Sequence, residues 1–299
     1  MGKVFRFSQS LRFGHCDMAG IVFLSPFFDM VNSTVEDWFE RGLEFPFHDF
    51  HLKHRYGNPI VSTSCEFLHP CRYGEKMTLE LGVASLGRSS IDLQISARVL
   101  GEERMRVRHK TAMISLGTFR SIAIPGELRS KMEQYAVVRG GEPDLPLPGR
   151  KAAEPENCFR SRQPIRYSHC DPSEIVYFPR FFDLFNAALE DWFAQALGSP
   201  WGSDFMGARN LRMPTLRIGC EFLRGCRLGE TLDIELWPTR LGRSSLEFAL
   251  AGKVDGETRM RVAWTLCVIS FATFKSVAIP DDLRARMQPF LAPAQGRHR

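Results

Sequence analysis

The chain has no apolar run approaching the roughly 18 residues a membrane-spanning helix needs, no block of five or six like charges, and no C-x-x-C pair. These absences exclude a helical membrane anchor and a basic nucleic-acid arm, and leave no zinc-ribbon spacing. Residues 1–17 contain no secretory apolar segment, so a reducing cytoplasm is the expected compartment. Of the eight cysteines, six fall at repeated positions, Cys16 and Cys170, Cys65 and Cys220, Cys71 and Cys226, and read as small buried apolar residues. A net charge of +5 is mild and suits a small polyanionic ligand without demanding one. With 44% hydrophobic and 24% charged residues over 299 positions, disorder is a poor reading and a large core is expected.

What the chain does contain is itself, twice. His15-Cys16-Asp17-Met18-Ala19-Gly20-Ile21-Val22 returns as His169-Cys170-Asp171-Pro172-Ser173-Glu174-Ile175-Val176, an offset of 154. Leu86-Gly87-Arg88-Ser89-Ser90 and Ile124-Pro125 return at an offset of 155, so one residue was gained between Trp192 and Cys220. One repeat of so long a period is a duplicated domain, because a solenoid needs several short units. The expected boundaries are residues 1–135 and 158–292, joined by a Pro/Gly-rich linker over 136–157 and followed by a disordered tail over 293–299.

Within copy one, loose alternation over residues 4–13 predicts a strand. Ser25 reads as a helix N-cap and Pro26 as the first helical position, with Phe27, Phe28, Val31, Val35, Trp38 and Phe39 at helical spacing until Gly42. A polar loop bearing His48, His51 and His54 follows. Strands are predicted over 59–68, 76–86, 89–100 and 104–124, with Gly74, Gly87 and Gly101 as turns, and a short helix over 125–134. Each copy is thus α+β, an antiparallel meander whose apolar face can wrap one helix. Asp17 and Asp171 stand just ahead of the helix starts, where unpaired N–H groups and partial positive charge favour an oxyanion.

Asp17-Met18-Ala19-Gly20-Ile21-Val22-Phe23, the helix end Glu36-Asp37-Trp38-Phe39, the strand segment Glu66-Phe67-Leu68 and Leu86-Gly87-Arg88-Ser89-Ser90 together resemble the 4-hydroxybenzoyl-CoA thioesterase family. The resemblance covers nearly all of both copies outside the linker. It implies a tandem hot-dog fold, an antiparallel sheet wrapped around a central helix in each copy. It also implies an intramolecular pseudo-dimer with room for a further homo-oligomer, and hydrolysis of an acyl-CoA thioester without a cofactor or metal. Residue by residue, it makes Asp17 and Asp171 the catalytic carboxylates, assigns the thioester oxygen to backbone N–H groups near Leu24 and Phe178, and places Arg88 and Arg243 on the CoA phosphates. Copy two departs from the family with Ser173-Glu174 in place of Ala-Gly, copy one with Met18 in place of proline.

Each of these residues also has an ordinary structural reading. Asp17 and Asp171 resemble helix-capping aspartates at some remove, Arg88 and Arg243 solvated turn residues, and the three loop histidines surface groups rather than metal ligands. His15 and His169, two residues before the aspartates, and Glu66 and Glu221, charges inside strands, are second-rank site candidates whose default is packing or a buried ion pair. Glu36, Asp37, Glu190 and Asp191 read as solvated or capping acids. No nucleic-acid or membrane partner is expected. A hot-dog hydratase or dehydratase and a non-catalytic acyl-CoA binding module are the alternative functions, with acyl-carrier protein as the alternative carrier.

Overall fold

In the computed structural model, residues 2–138 and 155–292 are described, so most of the expected linker (139–154) and the expected tail (293–299) lie outside the described residues. The chain divides into two compact units, Met1–Leu145 and Pro146–Arg299.

In unit one, β1 (Phe5–Ser10) leads through a loop into α1 (Leu24–Asp37), then come β2 (Tyr56–Gly57), β3 (Ile60–Phe67), β4 (Lys76–Leu86), β5 (Ser90–Val99), β6 (Glu102–Ala112), β7 (Ile114–Ser115) and α2 (Gly126–Glu133). The main strands form an antiparallel sheet in the order β1-β4-β5-β6-β3, and β2 pairs with β7. Strand periodicity decides which face is buried: Met77, Leu79, Leu81 and Val83 of β4 and Ile91, Leu93, Ile95, Ala97 and Val99 of β5 point inward, with Thr78 and Glu80 on the other face. Against that inner face pack Phe28, Val31 and Val35 of α1 and Trp38 just after it. Each such side chain contributes about 1.5–3 kcal/mol when fully buried, before entropy is subtracted. The outer face carries ion pairs across neighbouring strands, Arg6 to Glu80 at 2.8 Å, Arg98 to Glu80 at 3.4 Å and Arg106 to Glu66 at 3.9 Å.

Unit two repeats the plan with β8 (Phe159–Pro164), α3 (Pro179–Asp191), β9 (Leu211–Arg212), β10 (Thr215–Phe222), β11 (Thr231–Leu241), β12 (Ser245–Val254), β13 (Glu257–Cys267), β14 (Ile269–Ser270) and α4 (Asp281–Met287). Its sheet order is β10-β13-β12-β11-β8, with β9 paired to β14. A second small core, Trp237, Ala249 and Ala251 with Cys158 and Ala292, gives this unit buried residues on consecutive positions of β11 and β12. Each unit is the helix-and-sheet architecture that the sequence motifs imply.

Several local readings need correction. The strand expected over 4–13 ends at Ser10, and Phe13–His15 form a 3-10 turn. The run 104–124 breaks at buried Met113 after β6 ends at Ala112. Helix α1 starts at Leu24 with Phe23 as its N-cap, so Ser25 is not a cap but a buried residue of the first turn. The last turn, Trp38–Gly42, is a π turn. The histidine-bearing stretch is not simply a polar loop: Asp49–Lys53 is a π turn built on fully buried Phe50, whose ring meets Phe39 at 5.1 Å and Tyr56 at 5.7 Å. The hydrophobic anchor in the middle of the polar run outweighs its surface composition.

Candidate active site

The Asp17 loop is closed by its own backbone. The Asp17 N–H donates to the Ile21 carbonyl at 2.9 Å, Gly20 N–H to the Asp17 carbonyl at 3.0 Å, and Cys16 bridges Val22. The carboxylate Oδ1 accepts the Ala19 N–H at 2.8 Å. Val22 N–H donates to Cys71 and Ile21 bridges Arg72, which ties the loop to the segment just before β4. Because the loop folds back, Asp17 lies beside Ile21, only three residues short of the helix start at Leu24. Unit two reproduces this: Asp171 N–H to Ile175 at 3.0 Å, and Ser173 N–H to Asp171 Oδ1 at 2.8 Å. Asp17 is exposed and Asp171 half-buried.

Gly20 has φ of 73°, and Glu174 occupies the matching position at φ of 64°. A Cβ added at Gly20 would meet nothing within 4 Å. Glycine suits this turn because of its left-handed backbone rather than for want of space, and Glu174 brings strain and a charge to the same position.

The helix starts differ more. In α1 the first two residues are Leu24 and Ser25, whose N–H groups have no intrahelical acceptor, and Pro26 follows. In α3 the N-cap is Phe178 and the first helical residue is Pro179, which has no N–H at all. The next two donors are spent at once, Arg180 N–H on Tyr177 at 2.9 Å and Phe181 N–H on Phe178 at 3.1 Å. Unit one thus starts its helix on two residues that each carry an N–H, where unit two has a proline and a tight turn.

His15 and His169 lie beside these loops. The Nδ1 of His15 accepts the Arg12 N–H at 3.1 Å, and that of His169 the Arg166 N–H at 3.1 Å. Their carbonyls accept from Phe23 at 3.1 Å and Tyr177 at 2.9 Å, the residues that lead into the helices. Burial pulls the His169 ring below the usual histidine range, against the pull of Asp183. Sequence reading missed Asp29 and Asp183, although Phe27-Phe28-Asp29 recurs as Phe181-Phe182-Asp183 with an acid inside a largely apolar helical run. Asp29 lines a cavity of about 160 Å³ with Gln9, His15, Pro26, Met30 and Ser33.

The remaining candidates stand elsewhere. Leu11 N–H pairs with Glu75 at 2.8 Å, setting the start of the acidic loop beside the beginning of β4, whereas Arg88 follows its far end, roughly 30 Å away along an 11-residue strand. Within one unit Arg88 and Asp17 are not brought together. Arg88 and Arg243 are exposed, in turns whose glycines could not accept a Cβ without striking Ser90 or Ser245. Their carbonyls accept from Ile124 at 2.9 Å and Ile279 at 2.8 Å, while Arg129 and Arg284 of the terminal helices hold Gly87 and Gly242. Folding alone thus accounts for much of the repeated Leu-Gly-Arg-Ser-Ser. Glu66 and Glu221 sit next to Phe67 and Phe222, whose rings meet Phe27 at 5.1 Å and Phe181 at 5.5 Å, so strand alternation turns both glutamates to the face away from the helix.

Glu36, hydrogen-bonded by Asn32, and Glu190 are both pushed upward mainly by burial. Asp37 pairs with Arg41, and Asp191 accepts from Ser161 at 2.6 Å. His48 pairs with Asp49 at 2.9 Å, His51 bonds the Phe47 carbonyl at 3.1 Å, and His54 stacks on Tyr56. Among the described residues no cluster of three or more such groups is placed to hold a metal. No helix among them is long and apolar enough to cross a membrane. All eight cysteines are free thiols. Cys65, Cys71, Cys220 and Cys226 are buried, with Cys71 and Cys226 pushed up to about 12 by burial, but Cys16 and Cys170 are only half-buried.

Two hot-dog units in tandem, each with an acidic loop closed ahead of a helix start, define the class. Residues 11–132 match the family described as the thioesterase-like superfamily and residues 174–260 the thioesterase superfamily; the chain belongs to this superfamily, with two of its domains in tandem. A protein described as an oleoyl thioesterase from Lactobacillus plantarum has a similar structure, with a TM-score of 0.73 at 16% identity over 90% of this chain and 97% of its own. The 12:0-ACP thioesterase from Umbellularia californica gives 0.71 at 12% identity over 89% and 94%. An acyl-ACP thioesterase from Bacteroides thetaiotaomicron gives 0.63 at 14% over 88% and 97%. At such identities the likeness speaks for the fold. No curated protein matches the chain in sequence.

Proposed function

We propose that this protein hydrolyses an acyl-CoA thioester to the free acid and CoA, with turnover centred on Asp17. The observation that carries the reading is the pairing, in unit one, of a carboxylate held in a closed loop with the start of the long helix at Leu24, three residues beyond the end of that loop at Ile21. The backbone N–H at Leu24 and the helix dipole would stabilise the oxygen that becomes negative when the thioester carbonyl is attacked. Asp17 either attacks the carbonyl carbon, expelling the thiolate and leaving an anhydride that water cleaves, or takes a proton from the attacking water. In both routes the sulfur leaves with a proton from solvent and the products are one acid and one thiol. Asp171 is the proposed counterpart in unit two, with the backbone N–H near Phe178, the helix N-cap, as its oxyanion donor.

CoA is the carrier proposed from the family resemblance, with Arg88 and Arg243 as phosphate contacts. A hydratase using an aspartate and histidine pair is disfavoured because the Nδ1 of each histidine is already committed to a backbone N–H. The deciding experiment is thiol release over a panel of aliphatic and aromatic acyl-CoAs and the same acyl groups on acyl-carrier protein. Turnover on CoA with little on the carrier protein supports the reading, and binding of acyl-CoA with no thiol released from any substrate overturns it.

A further inference from the structure

The two histidines ahead of the acidic loops are in the same double contact in both units, and the chemistry just described does not use them. Each sits at the end of a 3-10 turn, Phe13–His15 and Tyr167–His169. The ring reaches back, Nδ1 accepting the N–H of Arg12 or Arg166 at 3.1 Å. The carbonyl of the same residue reaches forward to the N–H of Phe23 at 3.1 Å or Tyr177 at 2.9 Å, the residue one or two positions before the helix. One residue therefore ties the turn before the aspartate to the backbone that follows it. A ring whose Nδ1 accepts a hydrogen bond carries its proton on Nε2 when neutral, so it is a donor there and has no lone pair left with which to act as a base.

We propose that His15 and His169 are positioning residues that hold the aspartate loop in register with the helix start as neutral Nε2–H rings. A protonated Nδ1 faces the Arg12 or Arg166 N–H donor to donor, and the inner contact is lost. The groups around His15 are Arg12 on its own turn, Gln9 from β1, and Asp29 and Ser33 from α1, which share its cavity. Around His169 they are Arg166 on its turn and Asp183 and Arg180 from α3, the last two paired at 3.5 Å. Burial outweighs Asp183 at the His169 ring and favours its neutral form. The effect runs through placement, since a displacement of about 1 Å at a reacting group can cost on the order of 100-fold in rate.

The inference rests on the proposed hydrolysis for its kinetic test but not for its structural one. In the full chain, His15→Asn with His169→Asn puts a side-chain oxygen where Nδ1 stands, an acceptor that cannot be protonated, whereas His15→Gln with His169→Gln extends its amide toward the Nε2 position. Thiol release from an acyl-CoA should show the asparagine pair keeping most of the wild-type kcat and the glutamine pair losing roughly 10- to 100-fold in kcat with little change in KM. An asparagine pair that falls as far as the glutamine pair overturns the proposal. Should the wild type release no thiol at all, the hydrolytic reading fails, and the clamp is judged by nitrogen NMR of the histidine rings. Protonated Nε2 and unprotonated Nδ1 at neutral pH for both residues uphold it, and the opposite tautomer at either overturns it.

Discussion

His109 sits in the middle of β6, fully buried, with Thr63 as its hydrogen-bond partner at 3.3 Å. Burial pushes its pKa down from 6.5 to about 4. The folded state therefore refuses a proton that the unfolded chain accepts, so this residue contributes stability above the unfolded pKa that is lost as pH falls through 6.5 toward about 4. The loss between about pH 7 and about pH 5 should be on the order of 2 kcal/mol. Unit two places Trp264 at the matching position, its indole donating to Thr215 at 2.9 Å, where nothing titrates. His109→Phe should flatten the acid dependence of the urea midpoint, and an unchanged slope would mean another group sets it. Arg88 and Arg243 make a second residue-scale case. If they hold CoA phosphates, changing either to alanine should raise KM more than it lowers kcat, and short pantetheine thioesters should not notice. Equal losses on both substrates would leave these arginines only their turn.

At the scale of the element, the end of the central helix shows how packing selects a residue that propensity disfavours. Gly42 closes the π turn after α1, and a Cβ there would come within 2.6 Å of Trp38 Cδ1 and 3.1 Å of Phe5 and Tyr135. Trp38 is fully buried and edge-on to Phe39 and Tyr135, so it cannot yield. In unit two the equivalent residue is Ala196, and Trp192 packs against Phe248 and Phe290 instead. Gly42→Ala should therefore destabilise by about 1–3 kcal/mol despite its better helix propensity, read as a lower denaturant midpoint. Ala196→Gly should cost no more than about 1 kcal/mol, the propensity difference. A neutral or stabilising Gly42→Ala would show that the tryptophan has room to move.

For the whole molecule, the duplication raises the question of whether two copies mean two equal sites. Both keep the aspartate and its backbone hydrogen bond. Unit two has Pro179 and an immediately tightened turn where unit one starts its helix on Leu24, and it carries Glu174 in a left-handed conformation beside the aspartate. An added negative charge near a helix start works against a developing oxyanion. Losing a positioned acid or base costs about 10²- to 10⁴-fold at its own site. Asp17→Asn should thus remove nearly all thiol release while Asp171→Asn leaves most of it, both variants remaining folded by circular dichroism. Single variants that each keep half the wild-type kcat would mean equal, independent sites.

The sequence by itself determined the duplication, the α+β class, the helix and most of the strands, because these rest on periodicity and on text repeated at a constant offset. Leu79-Glu80-Leu81 alternates whatever surrounds it, and the Asp17 and Asp171 loops announce themselves by recurring. Tertiary structure decided the rest. That Ser25 is a buried first-turn residue and not a cap, and that α3 begins on a donorless proline while α1 begins on leucine, depends on where the chain enters the helix, which local propensity leaves open by a residue or two. That Glu66 turns away from the helix, that Arg88 lies a strand's length from Asp17, and that His15 grips the backbone on both sides of Asp17 are facts of register and of chain reversal. Residues far apart or merely adjacent in sequence acquire these roles only when the sheet has set which end and which face each one occupies.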